Sequence, residues 1–290
     1  MLGTHQKRNT MQTKGIFWLY ILLAASVAFA EPPRLQFELL DVGQGLSFLI
    51  RSESCNTLYD TGTQKSGIDT MLANRNIDTL CSVILSHWHN DHFGGLYAIA
   101  KMAKKQKLKL KRLIVFNDYP LKENNAKIRE SIFKNFAEIG IHIREVHRGD
   151  TIMDFAPFNA KVLWPQAADS SVTENSASMV LYISDSLKGF LFMGDLGEKE
   201  ERVLLGLEPE LNAYYLQVGH HGSKTSSSLP FLKRIRPRMA FIGVGRNNQY
   251  KHPRPETLLR LKQVMQDTTQ IYRTDIHGSV KFEWGYGVMD

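Results

Sequence analysis

Four side chains of the types that bind metal ions lie within six residues of one another: His87, His89, Asp91 and His92. An apolar run at residues 83–85 precedes them and two glycines follow, which predicts a buried strand, a tight turn and the start of a helix. Alternate residues of a strand share a face, so two imidazoles can point one way while the turn residues reach a second point. Imidazole with carboxylate suits zinc, manganese or iron. We therefore interpret the stretch as the ligands of two neighbouring cations rather than as a polar loop with incidental histidines.

Two later strand ends carry the same chemical groups. The apolar residues 190–193 lead to Gly194-Asp195, whose carboxylate is a candidate bridge between two cations, although an isolated Asp in such a place is often only a turn residue. Residues 214–218 predict a strand that leads to His220 and His221. Because side chains alternate along an extended chain, only one of these two easily faces a cation. We favour His221 as the ligand, with His220 close by, and leave the order open.

Candidate substrate-binding groups follow these histidines: Ser223, Lys224, Thr225 and Ser226. Hydroxyls, backbone N–H groups and a lysine at a helix start suit an anion, although ordinary helix capping explains serine and threonine there equally well. His252 lies between a lysine and a proline and is a candidate general acid for the leaving oxygen; a structural loop histidine is the alternative. Asp91 and Asp195 are the candidates that would hold an attacking water.

Alternating strands and helices are expected to position these groups. The apolar pattern predicts strands at residues 35–40, 46–51, 57–59, 83–85, 113–116, 141–146, 161–164, 179–184, 190–193, 214–218, 238–244, 271–274 and 279–284. It predicts helices at residues 66–76, 97–112, 123–139, 198–205 and 255–266, with a further helix opening near Lys224. The lysine-rich segment 97–112 is either a solvated helix face or a surface that follows phosphates. We see no repeat or linker, so residues 31–290 are predicted to form one domain.

The N-terminus, residues 1–30, is predicted to be a signal peptide. Three basic residues precede an apolar run over residues 16–30, which ends in Ala28-Phe29-Ala30 and so fits the small-x-small cleavage rule. The run is shorter than the roughly 20 residues of a membrane-spanning helix, although an uncleaved anchor is the alternative. We expect an exported protein, periplasmic or secreted, with no stable membrane insertion after cleavage.

The composition indicates a globular, mildly basic protein. A hydrophobic content of 43% supports a sizeable core. The formal charge is +7, and the three charges of the leader leave the remainder near +4, which permits an anionic substrate without requiring one. Counting back along the predicted strands places Cys55 and Cys81 at similar depth, which predicts a disulfide in an exported protein; two buried thiols are the alternative.

The histidine cluster resembles the signature of the metallo-β-lactamase superfamily, which implies an α/β (α+β) fold, a four-layer αββα sandwich with the metal site at an edge between two sheets. A longer run of motifs, spanning residues 35–284, resembles the β-lactamase-like domain of ComEC-type competence proteins, which carry DNA across the inner membrane. The motifs are Asp41-Val42-Gly43-Gln44-Gly45, Asp60-Thr61-Gly62, residues 86–95, Gly194-Asp195, residues 220–228, Tyr250-x-His252-Pro253 and Tyr272-Arg273-Thr274-Asp275. The resemblance implies two divalent metal ions, Zn or Mn, and hydrolysis of a phosphodiester, with single-stranded DNA as a candidate substrate and the competence machinery as a candidate partner. It also favours a structural role for Asp60 beside the metals.

Two features depart from the pattern that this resemblance implies. ComEC proteins join the domain to a multi-helix membrane channel, and this sequence shows no such segment, so we expect a free-standing, exported version. Many superfamily members place a further histidine between the cluster and the bridging carboxylate, whereas residues 172–178 contain none and keep only Asn175. One cation is therefore expected to have an incomplete protein shell, completed by water or by substrate phosphate.

Three functions remain open at this point. The leading hypothesis is an exported metal-dependent phosphodiesterase or nuclease. The second is hydrolysis of another ester, such as a choline-phosphate ester; a β-lactam is disfavoured by the missing histidine and the motif run. The third is a DNA-binding accessory of uptake with little catalysis, which the full set of candidate ligands disfavours.

Overall fold

The computed structural model describes residues 31–165 and 173–287, in which the strands form a seven-stranded and a six-stranded sheet. The seven-stranded sheet contains β1 (Arg34–Leu39), β2 (Phe48–Arg51), β3 (Asn56–Tyr59), β4 (Thr79–Ile84), β5 (Lys109–Val115), β6 (His142–Glu145) and β13 (Val280–Gly285). Its spatial order is β13-β1-β2-β3-β4-β5-β6. The strands from β3 to β6 are parallel neighbours, so their carboxyl ends share one edge of the sheet.

The six-stranded sheet repeats this arrangement. It contains β7 (Asn159–Trp164), β8 (Val180–Ser184), β9 (Gly189–Phe192), β10 (Tyr215–Gln217), β11 (Met239–Ile242) and β12 (Ile271–Arg273). Its order is β12-β11-β10-β9-β8-β7, and the strands from β9 to β12 are parallel. The second sheet therefore also gathers several carboxyl ends at one edge.

The helices cover the two sheets from outside. Those of the described residues are α1 (Ile68–Ala73), α2 (Asn90–Phe93), α3 (Leu96–Lys104), α4 (Glu123–Glu138), α5 (Glu198–Leu207), α6 (Leu229–Ile235), α7 (Pro255–Val264) and α8 (Thr274–His277). Short 3-10 turns lie at Met153–Phe155, Gly219–Gly222 and Thr268–Gln270. Helices α1, α3 and α4 bury apolar side chains with the seven-stranded sheet, and α5, α6 and α7 with the other. The predicted four-layer αββα sandwich is confirmed.

Aromatic side chains fill the space between the two sheets. The rings of Phe37 on β1 and Phe190 on β9 lie 5.0 Å apart between centroids. The rings of Phe48 on β2 and Phe192 on β9 meet edge to face at 5.2 Å. All four side chains are fully buried, and offset or perpendicular aromatic pairs stabilise beyond the area that they bury. The strand ends that carry the candidate ligands thus project from a rigid platform.

The predicted helix over residues 97–112 is wrong in its second half. Helix α3 ends at Lys104, and the chain continues as β5 from Lys109. Leu110 is buried while Lys109 and its neighbour at 111 are exposed, which is the alternation of a strand. The helix propensity of lysine is outweighed here by this period of two, because β5 must pair with β4 and β6. The basic residues therefore do not line a single helix face.

The predicted disulfide is confirmed. Cys55 and Cys81 are bonded, with their Cα atoms 5.7 Å apart. The parallel register of β3 with β4, in which Thr57 faces Ser82, brings the residue before β3 alongside Cys81. The predicted signal peptide, residues 1–30, lies outside the described residues. Within residues 31–165 and 173–287, none of the helices is both long enough and apolar enough to cross a bilayer.

Candidate metal centre

The candidate ligands meet where the carboxyl ends of three strands converge from the two sheets. The segment of residues 87–92 follows β4, Asp195 follows β9, and the two adjacent histidines follow β10. More than a hundred residues separate the first segment from Asp195, and the sandwich brings all three segments together at one edge. Two groups of three potential metal ligands result, and within each group the donor atoms lie within 4.8 Å of one another: His87, His89 and Asp195; and Asp91, His92 and His221.

Asp195 links the two groups. Its Oδ2 lies 3.9 Å from Nε2 of His87 in the first group, and its Oδ1 lies 3.2 Å from Nε2 of His92 and 3.6 Å from Nε2 of His221 in the second. Each carboxylate oxygen thus faces a different group. Asp195 is buried, and its Oδ1 accepts no hydrogen bond from the described residues. An ionised oxygen in that state is costly unless a positive charge compensates it.

The proton positions in the second group favour a cation. His92 Nδ1 lies 2.7 Å from Oδ2 of Asp60, and His221 Nδ1 lies 2.7 Å from the carbonyl oxygen of Gly243. Both partners are acceptors, so both Nδ1 atoms carry a proton, and in its neutral form each ring turns the lone pair of Nε2 inward. The two Nε2 atoms are 3.2 Å apart, where facing lone pairs repel each other. Four donors at zinc-bond lengths around one tetrahedral ion lie about 3.3 Å apart, so this donor set fits a divalent cation.

Asp60 orients the ring of His92 directly and is connected to the ring of His87 through Ser86. Its carboxylate is fully buried and accepts hydrogen bonds of 2.7 Å from the backbone N–H and from the hydroxyl of Ser86, in addition to the bond from His92. The Ser86 hydroxyl also lies 3.0 Å from Nδ1 of His87. One carboxylate is therefore connected to a ring of each group, as expected of an outer partner that sets tautomer and orientation. This arrangement agrees with the structural role expected for Asp60.

The protonation states of the ligands follow from burial and from their neighbours. Burial opposes charge on His92, but the carboxylates of Asp195 and Asp60 outweigh it and raise the pKa of His92 well above its usual value. Burial and the nearby His92 lower the pKa of His87 well below its usual value. Burial would raise the pKa of Asp195, yet His92 and His221 hold it well below its usual range. At neutral pH the shared carboxylate is ionised and His87 is neutral, which are the forms that bind a cation, whereas a proton competes at His92.

The two adjacent histidines adopt a conformation that the sequence did not reveal. His220 and His221 lie in the 3-10 turn Gly219–Gly222 with φ of 51° and 54°, so the chain is not extended there. The left-handed conformation costs a non-glycine residue roughly 1–2 kcal/mol. It lets both rings approach the same carboxylate, with Nε2 of each 3.6 Å from an oxygen of Asp195. We predicted an extended chain at these two residues, and that was wrong. The structure nevertheless places His221 in the second group and His220 beside it.

A pocket of about 380 Å³ opens over the two groups, and its walls are formed by Gln44, His89, Asn90, Asp91, Asn175, Asp195, His220, His221, Tyr250 and His252. The structure therefore brings His252 to the site, with its ring 5.8 Å from the ring of His220. Burial and the neighbouring imidazoles lower the pKa of His252 to about 4, so its ring is neutral at pH 7. A neutral ring can donate one hydrogen bond, and its role as a general acid stays a prediction.

The predicted substrate-binding residues after His221 are not brought to this pocket. The hydroxyl of Ser226 donates to the carbonyl oxygen of Leu196 at 2.8 Å, and those of Ser223 and Thr225 bond each other at 3.0 Å. The Lys224 side chain is exposed. These groups stabilise their own loop, and the expected helix opening lies later, because α6 begins only at residue 229. The pocket walls contain none of the four residues.

A buried carboxylate holds this loop in place. Glu201 on α5 accepts hydrogen bonds from the backbone N–H groups of Ser227 and Ser228, at 2.5 and 2.9 Å. Burial raises the pKa of Glu201 to about 7 although these N–H groups favour its charged form. The loop and the strained turn before it are thus fixed by a residue that no local sequence pattern connects to them.

Sequence reasoning also missed one partner of the first group. Nε2 of His89 lies 3.4 Å from Oε2 of Glu174, whose other oxygen accepts a hydrogen bond of 3.0 Å from Asn125. Glu174 lies inside the segment that was inspected only for a missing histidine. A carboxylate that contacts the second ring nitrogen of a ligating histidine can lie at any distance in sequence from that histidine, so only the fold could reveal it. Asn175, next in the chain, lines the pocket, and its Oδ1 has no hydrogen-bond donor among the described residues.

Comparison with known families and proteins agrees with this architecture. Residues 40–156 match the family model described as Metallo-beta-lactamase superfamily. "Competence protein ComA" of Neisseria gonorrhoeae is 30% identical over 278 residues, a match that covers 93% of this chain and 36% of that protein. "ComE operon protein 3" of Bacillus subtilis is 27% identical over 269 residues and is matched over 33% of its length. The chain thus spans about a third of the length of these two curated relatives.

A solved structure shows the same fold. The metallo-beta-lactamase fold protein YhfI from Bacillus subtilis superimposes with a TM-score of 0.59 at 14% sequence identity. The match covers 87% of this chain and 100% of that one. At this identity the similarity concerns the fold alone.

Proposed function

Because the chain belongs to the metallo-beta-lactamase superfamily, we propose that it is a metal-dependent hydrolase of phosphodiesters, and in its most specific form a nuclease that acts on single-stranded DNA. The observation that carries the proposal is the pair of donor groups joined by Asp195, in which Nε2 of His92 and Nε2 of His221 face each other at 3.2 Å. Paired cation sites suit the displacement of one oxygen by another at phosphorus.

The protein would hold two divalent cations, Zn or Mn, through six side chains. The proposed ligands are His87, His89 and Asp195 for one, and Asp91, His92 and His221 together with Asp195 for the other, with His220 close by. When bound, such cations provide Lewis acidity and lower the pKa of water to near neutrality. The incomplete first group leaves room for a water molecule or a phosphate oxygen, as catalytic sites require.

The chain's own residues orient the reactants in this proposal. Asp91 is 28% exposed at its side chain, whereas Asp195 is 2% exposed, so Asp91 is the carboxylate that an incoming water can reach. It accepts a hydrogen bond from that water and orients it toward phosphorus. His252, across the same pocket, donates a hydrogen bond to the leaving oxygen. Burial of His87, His92, His221 and Asp195 excludes bulk water from their donor atoms and strengthens these interactions.

An aromatic pair at the pocket supports a nucleic acid substrate. The rings of Tyr250 and His252 stack at 5.7 Å between centroids with 25° between their planes. Tyr250 is 52% exposed, which leaves its outer face open to a base. Proteins bind single strands by stacking bases on such faces, each worth about 1–3 kcal/mol. The relative from Neisseria gonorrhoeae is named a competence protein, which supports DNA as the substrate and the uptake machinery as a partner.

Export is the second part of the proposal. The charged and apolar leader of residues 1–30 supports cleavage before Glu31, and the disulfide between Cys55 and Cys81 suits an oxidising compartment, periplasmic or extracellular. Mass spectrometry of the exported protein should find Glu31 as the first residue. Recovery of the intact leader in the membrane fraction would contradict it.

A substrate panel on the metal-loaded protein from residue 31 tests the activity. The panel contains bis-p-nitrophenyl phosphate, single-stranded DNA, p-nitrophenyl phosphorylcholine and a chromogenic cephalosporin. We expect hydrolysis of the first two, loss of that activity in His87→Ala, and full activity in the control His142→Ala, which removes an exposed histidine of β6. Preference for the phosphorylcholine ester would favour the choline-phosphate hypothesis. DNA binding without any hydrolysis would favour an accessory of uptake.

A further inference from the structure

The turn between β1 and β2 carries a polar side chain that the mechanism above does not use. Gln44 lies in the Asp41-Val42-Gly43-Gln44-Gly45 motif and forms part of the pocket wall over the two donor groups. The sequence assigned this motif only a tight turn. Its position in the fold also places Gln44 in the wall of the pocket.

The turn that contains Gln44 packs between two loops of the site. A Cβ on Gly45 would lie 2.6 Å from the carbonyl oxygen of Asp91, and a Cβ on Gly245 would lie 2.6 Å from the backbone nitrogen of Gln44. The N–H of Leu46 donates to the same Asp91 oxygen at 3.1 Å. Only glycine permits these approaches, so Gln44 is held between the loop of the histidine cluster and the loop that follows β11.

The orientation of the Gln44 amide is set by chemistry. The backbone N–H of Gly245 donates to the amide at 3.0 Å, and because an N–H can only donate, the atom that it contacts must be Oε1. Nε2 is therefore the amide atom that Gly245 does not contact through this hydrogen bond. It is buried, and no described residue accepts its hydrogen bond. A buried donor without an acceptor destabilises the protein, and a ligand oxygen that accepted its hydrogen bond would remove that cost.

The charges around the pocket show what such a donor would bind. The described pocket walls include the carboxylates of Asp91 and Asp195 but neither lysine nor arginine. A phosphate oxygen that does not face a cation must therefore find its donors among neutral groups. Gln44 is one of these, and its amide is already fixed by Gly245.

We propose that Gln44 is a substrate-binding residue whose Nε2 donates a hydrogen bond to an anionic oxygen of the bound phosphoryl group. The inference rests on the proposed phosphodiesterase function and narrows it, because it assigns the recognition of phosphate to a neutral amide. The alternative is that Gln44 only closes the turn through its bond to Gly245.

Two substitutions separate these roles. In Gln44→Glu the carboxylate can still accept from Gly245, but an anionic oxygen replaces Nε2. In Gln44→Met the side chain keeps its length and loses both polar atoms. A role limited to the turn predicts that Gln44→Glu behaves like the wild type and that Gln44→Met is the worse variant. A substrate-binding role predicts the reverse order, because the added charge repels phosphate.

The experiment measures binding of inorganic phosphate by titration calorimetry, the KM and kcat for bis-p-nitrophenyl phosphate, and metal content. We expect Gln44→Met to raise the phosphate Kd and the KM about tenfold, as the loss of one hydrogen bond to a charged group predicts, and Gln44→Glu to raise both further. Metal content should not change in either variant. Gln263→Glu, an exposed position on α7, controls for the added charge and should match the wild type.

The failures of the two proposals are distinguishable. If the wild type hydrolyses the phosphodiester, and the phosphate Kd of Gln44→Glu equals that of the wild type, the inference on Gln44 is wrong and the proposed function stands. Loss of metal from both variants would also overturn it, since Gln44 would then act on the metal centre. If the wild type neither binds phosphate nor hydrolyses the ester, the proposed function fails and the inference with it.

Discussion

Replacing Asp60 with asparagine is expected to weaken metal binding without removing a ligand. Its carboxylate accepts three hydrogen bonds, from the Ser86 N–H, the Ser86 hydroxyl and Nδ1 of His92. An asparagine can still accept from the Ser86 N–H through its oxygen, but its amide NH₂ then points at the other two donors. His92 must move its proton to Nε2 or turn away, and Nε2 is the atom that faces His221 and Asp195.

The magnitude follows from what such outer partners contribute. Substitutions of residues that hold the second nitrogen of a ligating histidine cost about 10–100-fold in metal affinity. Since a factor of ten is about 1.4 kcal/mol, we expect Asp60→Asn to lose about 1.4–2.8 kcal/mol of metal-binding free energy. The buried position of Asp60, which is 0% exposed, places the effect toward the upper end, because water cannot replace the lost acceptor.

Competition with a chromophoric chelator at fixed pH measures this change. The control is Asp154→Asn, which alters a buried carboxylate that accepts from Thr57 on β3 and pairs with Arg112 on β5, outside the candidate ligand groups. It should lower the free energy of unfolding and leave the metal Kd within about twofold, since no ligand ring depends on it. Unchanged metal affinity in Asp60→Asn would refute the reasoning on His92.

Three further predictions concern the rest of the fold and the site. Replacing Cys55 and Cys81 with serine should lower the free energy of unfolding in urea by about 3 kcal/mol, because the bond spans a sequence separation of 26 residues; equal stability of the variant and the oxidised wild type would contradict this. Burial raises the pKa of Glu201 from 4.5 to about 7, so the folded state holds an extra proton between these values and stability falls as pH rises through them, by roughly 3 kcal/mol. Glu201→Gln should lack this part of the pH dependence in urea titrations at pH 4.5 and 7, and an identical slope would contradict the assignment. His221→Ala should lose one bound cation while His220→Ala retains both, and the opposite result in elemental analysis would exchange their roles.

Local sequence signals were sufficient where the structure is locally determined. Helix α4 was predicted at residues 123–139 and lies at Glu123–Glu138, because its apolar positions repeat with the helical period and Gly140 ends it. The strand before the histidine cluster was recognised from its apolar run. These residues carry most of their structural information within one turn or one strand.

Contacts between distant segments explain what the sequence did not show. Glu201 holds the loop of residues 227 and 228 across 26 positions, and Gln44 meets Gly245 across 201. Neither pair has a spacing that repeats or a residue type that is unusual for its element. The left-handed turn at His220 is likewise stable only because the surrounding loop is fixed from outside.

The central claim is that two cations, joined by Asp195, carry out the hydrolysis of a phosphodiester. The most direct measurement titrates the metal-free protein with Zn or Mn and records bound metal and hydrolysis of bis-p-nitrophenyl phosphate in the same samples. We predict that activity saturates at two cations per chain, and that Asp195→Asn, which removes the charge shared by both groups, binds fewer cations and is inactive. Full activity with one cation or none, or an active Asp195→Asn with two bound cations, would contradict the account.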